Sequence, residues 1–370
     1  MRVRGRGWFL LDVQNVLHHA PVVRVTIREV ARAAGVSTAT VSHALSGNRP
    51  VSPRTRHRIK RVADSLGYRP NAIAAAMPTG RTQTLGMVVP DLSNPFFGEL
   101  LGAVERTAAE RGYSLVASSS ELDVALEARA VRTLRDRRVD ALIFLAGCEE
   151  PNPAFGELVE TDVPLVCVDE DMAYLPGQTS VLTVDNEAGG ALAARHLLDL
   201  GHRNLATITG PLGLPTARAR AAGFRRAAAE AGSEPATAQV RHGAAYTLKA
   251  GRDAARELLL SEPDVTGLFC ANDLIAAGAY AAARELGRRV PGDLSIVGFD
   301  DSFVAALVTP PLTTIRQPLA RLGKEAAEVA IDLVDGTRTA PTRRMLPVEL
   351  VVRESTAPPT GGARPHSRRH

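Results

Sequence analysis

The sequence predicts an α/β protein in two parts: a small three-helix head with a helix-turn-helix, and a larger body of two lobes with parallel sheets. Two patterns support this prediction. Residues 26–66 show short helical segments separated by glycine and serine-proline signals, and from Thr84 onward β-rich apolar runs alternate with Ala-rich helices. The 370 residues are enough for two or three domains with apolar cores.

The first helix of the head is predicted to begin after Thr26, which caps it while Glu29 completes a capping box. Gly35 stands where a helix end adopts the left-handed conformation, and Ser37 then caps a second helix over residues 38–45. An apolar stripe at helical spacing faces inward in the first helix: Ile27, Val30, Ala31 and Ala34.

The second and third helices complete the predicted head. The second presents polar or small residues outward, namely Thr38, Ala39, Ser42 and His43, and its inward residues are Val41, Ala44 and Leu45. The third starts at Ser52-Pro53, because proline is tolerated at the first helical position. Its inward residues are predicted to be Ile59, Val62, Ala63 and Leu66. This arrangement describes a helix-turn-helix unit, and the alternative is a small helical cap on an enzyme.

The distribution of charge favours nucleic acid as the partner of the head. Residues 24–81 contain eleven Lys or Arg and two acids, a net charge of +9 within a chain whose formal net charge is +4. The body is therefore acidic. A basic head that coincides with a helix-turn-helix pattern predicts binding to a polyanion, and we interpret the polyanion as DNA.

The body is predicted to hold ten strands in two lobes, since ten would be many for one sheet. The predicted strands are residues 85–89, 114–117, 141–145, 164–168, 181–184, 205–209, 238–241, 265–270, 295–299 and 348–352. The predicted helices are residues 96–112, 125–138, 187–201, 216–232, 248–260, 274–287 and 318–334. Between the predicted strands 181–184 and 205–209, Gly189 and Gly190 lie inside a helix pattern and indicate close packing.

Three segments of the head resemble the lactose-repressor/galactose-repressor (LacI/GalR) family: residues 26–31 (TIREVA), 35–43 (GVSTATVSH) and 66–72 (LGYRPNA). The resemblance continues to about Glu354. It implies a type I periplasmic-binding-protein-like body whose chain crosses between the lobes near residues 183–186, near residues 312–317 and after Gly336. It also implies a transcriptional regulator, and we expect a repressor that acts as a homodimer on operator DNA in the cytoplasm.

The predicted roles in DNA binding follow from the helix-turn-helix. Thr38, Ala39 and His43 are expected to read base edges, while Thr40 and Ser42 contact phosphates together with Arg49, Arg54, Arg56 and Arg58. By resemblance, residues 70–82 form a hinge helix that orders on DNA, with Asn71 in it and Met77 as a wedge between base steps. The sequence departs from the family at Ala75-Ala76 and Pro78, so a plain linker is the alternative.

A ligand of the body is expected in the cleft between the lobes, at the carboxyl ends of the strands. By resemblance, the effector-binding positions are Asn94, Phe97, Asp169, Arg220, Asn272 and Asp300, with Tyr246 a weaker candidate. Carboxylates, amides, an arginine and aromatic faces suit a hydroxyl-rich ligand such as a sugar or nucleoside. The alternative for Asn94, Asn272 and Asp300 is a helix cap without a ligand.

The remaining segments and functions are expected to contribute little. Residues 1–23 are interpreted as a disordered or mis-annotated extension, the head as 24–69, the body as 83–354 and residues 355–370 as a disordered tail. No motif for a catalytic site, a cofactor, a metal or a membrane span is recognisable, and the three cysteines suggest reduced thiols. The remaining alternative function is a sugar-binding or sugar-converting protein whose basic head acts otherwise.

Overall fold

The computed structural model describes residues 25–46, 49–68, 81–147, 150–231, 238–242 and 245–360. The chain separates into two compact units, Met1–Thr82 and Gln83–His370, which are described one at a time. The predictions for residues 1–23, for Asn71 and Met77, and for residues 361–370 lie outside the described residues.

The head contains helices α1 (Ile27–Ala34), α2 (Thr38–Ser46) and α3 (Pro53–Ser65). The capping box at α1 is confirmed, because the backbone N–H of Thr26 donates to Glu29 Oε2 over 2.7 Å. Gly35 ends α1 in the left-handed conformation at φ 61°. The Oγ of Ser37 accepts from the Thr40 backbone over 3.1 Å, and the chain therefore turns tightly into α2.

The core of the head is small and comes from all three helices. Its fully buried members are Val30, Ala31, Ala34, Val41, Ala44, Ile59 and Ala63, all of which were predicted to face inward. The prediction was wrong for Leu66, which is 38% exposed. Leu66 follows the last residue of α3 as its C-cap, and the helical period that placed it inward no longer applies there.

The first lobe is a six-stranded sheet in the order β11-β5-β4-β3-β1-β2. Its strands are β1 (Thr84–Val89), β2 (Ser114–Ser119), β3 (Ala141–Phe144), β4 (Leu165–Val168), β5 (Ser180–Val184) and β11 (Arg343–Leu346). Its helices are α4 (Pro95–Glu110), α5 (Val124–Asp136), α6 (Ala154–Val159) and α12 (Leu319–Asp335). Every pairing in this sheet is parallel.

The second lobe is another six-stranded sheet, in the order β12-β10-β9-β8-β6-β7. Its strands are β6 (Leu205–Thr209), β7 (Ala238–His242), β8 (Gly267–Cys270), β9 (Ser295–Asp300), β10 (Thr313–Arg316) and β12 (Glu349–Val351). Its helices are α7 (Asn186–Asp199), α8 (Pro215–Glu230), α9 (Leu248–Ser261), α10 (Asp273–Glu285) and α11 (Phe303–Leu307). The sheet is parallel except that β12 pairs antiparallel with β10.

The chain crosses between the lobes three times: from β5 to α7, from β10 to α12 and from β11 to β12. These crossings agree with the expected positions, and the two-lobed fold is confirmed. Strands β10 and β11 and the short helices α6 and α11 were not predicted. Strand β11 reads Arg-Arg-Met-Leu with three exposed residues, so it lacks the apolar run that marks the other strands.

The body continues past Glu354, which corrects the prediction of a tail from residue 355. Ser355 is fully buried, and its Oγ donates to the Ile296 carbonyl over 2.6 Å. His202 holds the next turn of chain, because its Nε2 donates to the Ala357 carbonyl over 2.9 Å. Residues 355–360 therefore belong to the second lobe.

Helices α7 and α8 approach each other through two glycines. A Cβ atom on Gly190 would lie 2.0 Å from the Arg220 carbonyl oxygen, and one on Gly223 would lie 1.9 Å from the Glu187 carbonyl oxygen. Real Cβ atoms do not make contacts this short with backbone. Close packing was predicted for Gly190, and it holds the helix that carries Arg220 against its neighbour.

The glycine contact predicts that Gly223→Ala destabilises the body by about 1–3 kcal/mol, because the added methyl group forces α7 and α8 apart. Urea unfolding measures this change. The matched control is Gly98→Ala, also in a helix, where, apart from its own helix, no described residue comes within 4 Å of an added Cβ. This control is expected to be neutral or stabilising by up to about 1 kcal/mol. Equal free energies of unfolding for both variants would contradict the packing account.

Candidate functional site

A cavity of about 480 Å³ lies between the two lobes at the carboxyl ends of their strands. The first lobe contributes Asn94 and Phe97 after β1, and Asp169 after β4. The second lobe contributes Arg220 from α8, together with Asn272 after β8 and Asp300 at the end of β9. The six residues predicted to bind effector thus line one cavity, although long stretches of sequence separate them.

Arg220 forms part of the second-lobe wall of the cavity and is only 4% exposed. Its Nε donates to Asn186 Oδ1 over 2.8 Å, and one terminal nitrogen donates to the Ala271 carbonyl over 2.6 Å. The guanidinium carbon lies 3.7 Å from the centroid of the Phe299 ring, a stacked cation–π contact. These contacts fix the orientation of a guanidinium that lines the cavity.

Two carboxyl groups, those of Asp300 and Asp169, interact electrostatically with this arginine. Asp300 Oδ1 lies 3.8 Å from a terminal nitrogen of Arg220 and accepts from Gln317 Nε2 over 2.8 Å. Burial raises the pKa of Asp300 well above its ordinary value, while Arg220 acts in the opposite direction. Burial likewise raises the pKa of Asp169, whose buried Oδ1 has no hydrogen-bond partner among the described residues. The cleft therefore holds polar groups that a hydroxyl-bearing ligand would satisfy.

The backbone at two of these carboxylates is strained. Asp169 has φ 75°, Asp300 has φ 108° and Asp301 has φ 59°, in the region that favours glycine. Residues other than glycine keep such angles only where the surrounding structure imposes them, and they concentrate at functional sites. In each lobe, an aspartate at the carboxyl end of a central strand therefore has a positive φ and lines the cavity.

The two asparagines cap helices and line the cavity as well. Asn94 Oδ1 accepts from the Phe96 backbone over 3.1 Å, and Asn272 Oδ1 accepts from the Ile275 backbone over 2.8 Å. Asp300 is no cap, because it is the last residue of β9 and bonds to Gln317 instead. The helix-cap alternative therefore accounts for the side-chain oxygen of each asparagine, and it does not apply to Asp300.

Three further residues of the cavity wall form a connected group: Glu170, Thr216 and Tyr246. Tyr246 was a weaker candidate in the sequence, and the other two were missed. The Tyr246 ring covers Gly210, where an added Cβ would lie 2.3 Å from the ring. The only sequence signal was the acidic run at residues 169–171 directly after an apolar strand.

On the head, the residues predicted to face DNA lie on the surface to different degrees. Thr38 and Ala39 are exposed, and Ser42 and His43 are partly buried. Arg49 and Arg54 are exposed, and Arg56 is partly buried, with no hydrogen-bond partner for its Nε in the part of the chain that the structure describes. The Thr40 hydroxyl already bonds to Ser37 Oγ over 2.8 Å, so its first role is to close the turn before α2.

No group of three or more His, Cys, Asp or Glu among the described residues is arranged to hold a metal ion. No helix found there combines the length and the apolar character that crossing a membrane requires.

Two family models match the chain. Residues 26–71 match the family described as bacterial regulatory proteins, lacI family, and residues 194–356 match the periplasmic binding protein-like domain. The HTH-type transcriptional regulator DegA of Bacillus subtilis (strain 168) is 38% identical over 341 residues, covering 91% of this chain and 99% of DegA. The ribose operon repressor of Escherichia coli (strain K12) is 37% identical over 325 residues, which cover 88% of this chain and 96% of that repressor.

Solved structures give the same relationship. A complex of the transcriptional regulator CelR with cellobiose is 35% identical, covers 90% of this chain and all of its own, and has a TM-score of 0.68. A lac repressor dimer bound to operator and the anti-inducer ONPF is 30% identical and has a TM-score of 0.78. The match covers 90% of this chain and 99% of the lac repressor chain. A LacI family transcriptional regulator from Enterococcus faecium with bound ribose is 29% identical and has a TM-score of 0.67. The match covers 74% of this chain and 99% of that regulator.

The burial of Arg220 predicts that Arg220→Ala lowers the free energy of unfolding by about 3–5 kcal/mol, because Asn186 Oδ1 and the Ala271 carbonyl lose their buried donor and Asp300 loses the adjacent cation. Denaturant unfolding at neutral pH measures it. The control is Arg195→Ala, whose partner Glu230 lies 3.9 Å away with both side chains more than half exposed. That exposed pair is expected to contribute about 0–1 kcal/mol. Equal losses for both arginines would show that Arg220 is not held as described.

Proposed function

Because this chain belongs to the lacI family of bacterial regulatory proteins, we propose that it is a repressor whose operator affinity is set by a small hydroxyl-rich effector bound between the lobes. The observation that carries the proposal is the cavity at the strand ends, which is lined by all six residues that the family resemblance predicted to bind effector. The relatives with bound cellobiose and ribose make a sugar the first effector to test.

The chemistry of the cavity supports a ligand with many hydroxyl groups. Asp169 and Asp300 offer carboxyl oxygens from opposite lobes, Arg220 offers N–H donors, and Phe97 offers an aromatic ring. A sugar or a nucleoside places hydroxyl groups around a ring that also has an apolar face, so it pairs with both kinds of group. We infer a binding site and no catalytic role for these residues.

We propose that regulation proceeds through the relative position of the lobes. An effector that contacts Asp169 in one lobe and Arg220 in the other favours the closed arrangement. In a homodimer, such a change repositions the first lobes and alters how well two heads fit an operator. In this proposal, effector binding changes the fraction of molecules in which the hinge at residues 70–82, with Asn71 and Met77, is ordered. Operator DNA places the protein in the cytoplasm.

The proposal predicts that a sugar or nucleoside that raises the melting temperature of the protein also changes its operator affinity by about 5–150-fold. A thermal-shift screen of both ligand classes, followed by fluorescence anisotropy with operator DNA, measures the two effects. Asp300→Asn is expected to weaken both. The control Asp264→Asn, an exposed residue outside the cavity, is expected to weaken neither. A ligand that binds the cavity while leaving operator affinity unchanged would refute the coupling.

The proposed head contacts predict different effects for a base-reading and a phosphate-contacting residue. His43→Ala is expected to relax discrimination at one operator position by about 1–3 kcal/mol. Arg54→Ala is expected to weaken all sequences alike and to reduce the salt dependence of binding. Binding to an operator and to its single-base variants at two salt concentrations separates these effects. A uniform loss for His43→Ala would assign that residue to phosphate contact.

A further inference from the structure

One hydrogen-bonded contact joins the two lobes through side chains and needs no ligand. Glu170 follows β4 in the first lobe and is 2% exposed. Its Oε2 accepts from the Thr216 backbone N–H over 3.1 Å, and its Oε1 contacts the Thr216 hydroxyl over 2.5 Å. Thr216 is the second residue of α8 in the second lobe, so this contact spans the cleft.

The contact supplies a helix cap that α8 lacks. The N-cap position of α8 is Leu214, which makes no side-chain bond to the helix, and Pro215 has no N–H to donate. The N–H of Thr216 is therefore the first donor that a helix of this kind leaves unsatisfied. Glu170 satisfies it from the opposite lobe, in the way that an N-cap side chain does.

The same helix carries the central arginine of the cavity. Arg220 lies four residues after Thr216, one turn along α8, and Asp169 directly precedes Glu170 in the first lobe. A bond that fixes Glu170 to Thr216 therefore also fixes the separation of Asp169 and Arg220 across the cavity. Leu214 and Ala217 of the same helix also pack in the apolar cluster of the first lobe, so the Glu170–Thr216 bond is the hydrogen-bonded part of this contact between the lobes.

We propose that Glu170 is a positioning residue of the ligand cavity: by capping α8 from the opposite lobe, it holds Arg220 in place before a ligand arrives. This inference rests on the proposed function, because it assigns Glu170 a part in preparing the effector cavity. Ligand affinity then benefits from a wall that is already ordered.

The surroundings of Glu170 make the cap sensitive to pH. The charged or titratable groups that face it are Asp169, Arg220, the Tyr246 hydroxyl and the Cys167 thiol. Burial, and then Asp169, raise the pKa of Glu170 from 4.5 to about 8. The pKa of Glu170 is therefore higher in the folded state than in the unfolded chain. For this reason, the contribution of Glu170 to the free energy of unfolding is complete below about pH 4.5 and is lost as the pH rises through about 8.

Hydrogen exchange of the ligand-free, full-length protein tests the proposal at the α8 N-terminus. Glu170→Ala is expected to speed exchange in peptides covering residues 215–220 by about tenfold, since a lost cap opens the first turn. Glu170→Gln is expected to stay near wild type, because an amide both accepts from the Thr216 N–H and donates to its hydroxyl. Thr216→Val, which keeps the N–H, is expected to fall between them.

The control and the pH profile separate positioning from a general loss of stability. Asp171→Ala removes a half-exposed neighbour that pairs with Arg343, and it is expected to leave exchange at residues 215–220 unchanged. After correction for intrinsic rates, protection in wild type is expected to fall as pH rises from 7 to 9, and protection in Glu170→Gln to stay level.

The proposal is overturned if Glu170→Ala leaves exchange at residues 215–220 unchanged, if Asp171→Ala has the same effect, or if Glu170→Gln fails to restore protection. These measurements use no ligand. If no sugar or nucleoside binds, the proposed function fails, while the exchange pattern continues to decide the role of Glu170 independently.

Discussion

The stacked and hydrogen-bonded guanidinium of Arg220 is the constraint on which the cavity depends. A buried cation is costly unless its donors and charge are matched, and here Asn186, the Ala271 carbonyl, the Phe299 ring and Asp300 provide the match. These partners come from several elements of the second lobe, so the arginine ties their ends together. The close contact of α7 and α8 at Gly190 brings the backbone of Arg220 into this arrangement.

The cavity combines this rigid wall with carboxyl groups whose charge is disfavoured by burial. Asp169 and Asp300 end strands in opposite lobes, and both have left-handed backbone angles. Burial raises the pKa of both groups. A neutral, hydroxyl-rich ligand replaces water at such groups and adds hydrogen bonds without adding charge. A ligand that contacts both aspartates must touch both lobes, which links occupation of the cavity to the separation of the lobes.

The sequence predicted those features that depend on local pattern. The capping box at Thr26, the glycine turn at Gly35 and most of the buried strands follow from spacing within a few residues. Strand β11 has no apolar run, and its position follows from pairing with β5, which is distant in sequence. The Glu170–Thr216 bond joins residues 46 apart and leaves no local signal. Six cavity residues were named through family resemblance, which supplies long-range information that periodicity lacks.

A basic head and an acidic body with a ligand cavity place two binding surfaces on one chain, and their coupling is the central claim. Coupling free energy is reciprocal, so the most direct measurement is the affinity of a stabilising sugar with and without saturating operator DNA, by isothermal titration calorimetry. The account predicts that operator changes the sugar affinity by the same factor by which the sugar changes operator affinity. Equal sugar affinities in the presence and absence of operator would contradict it.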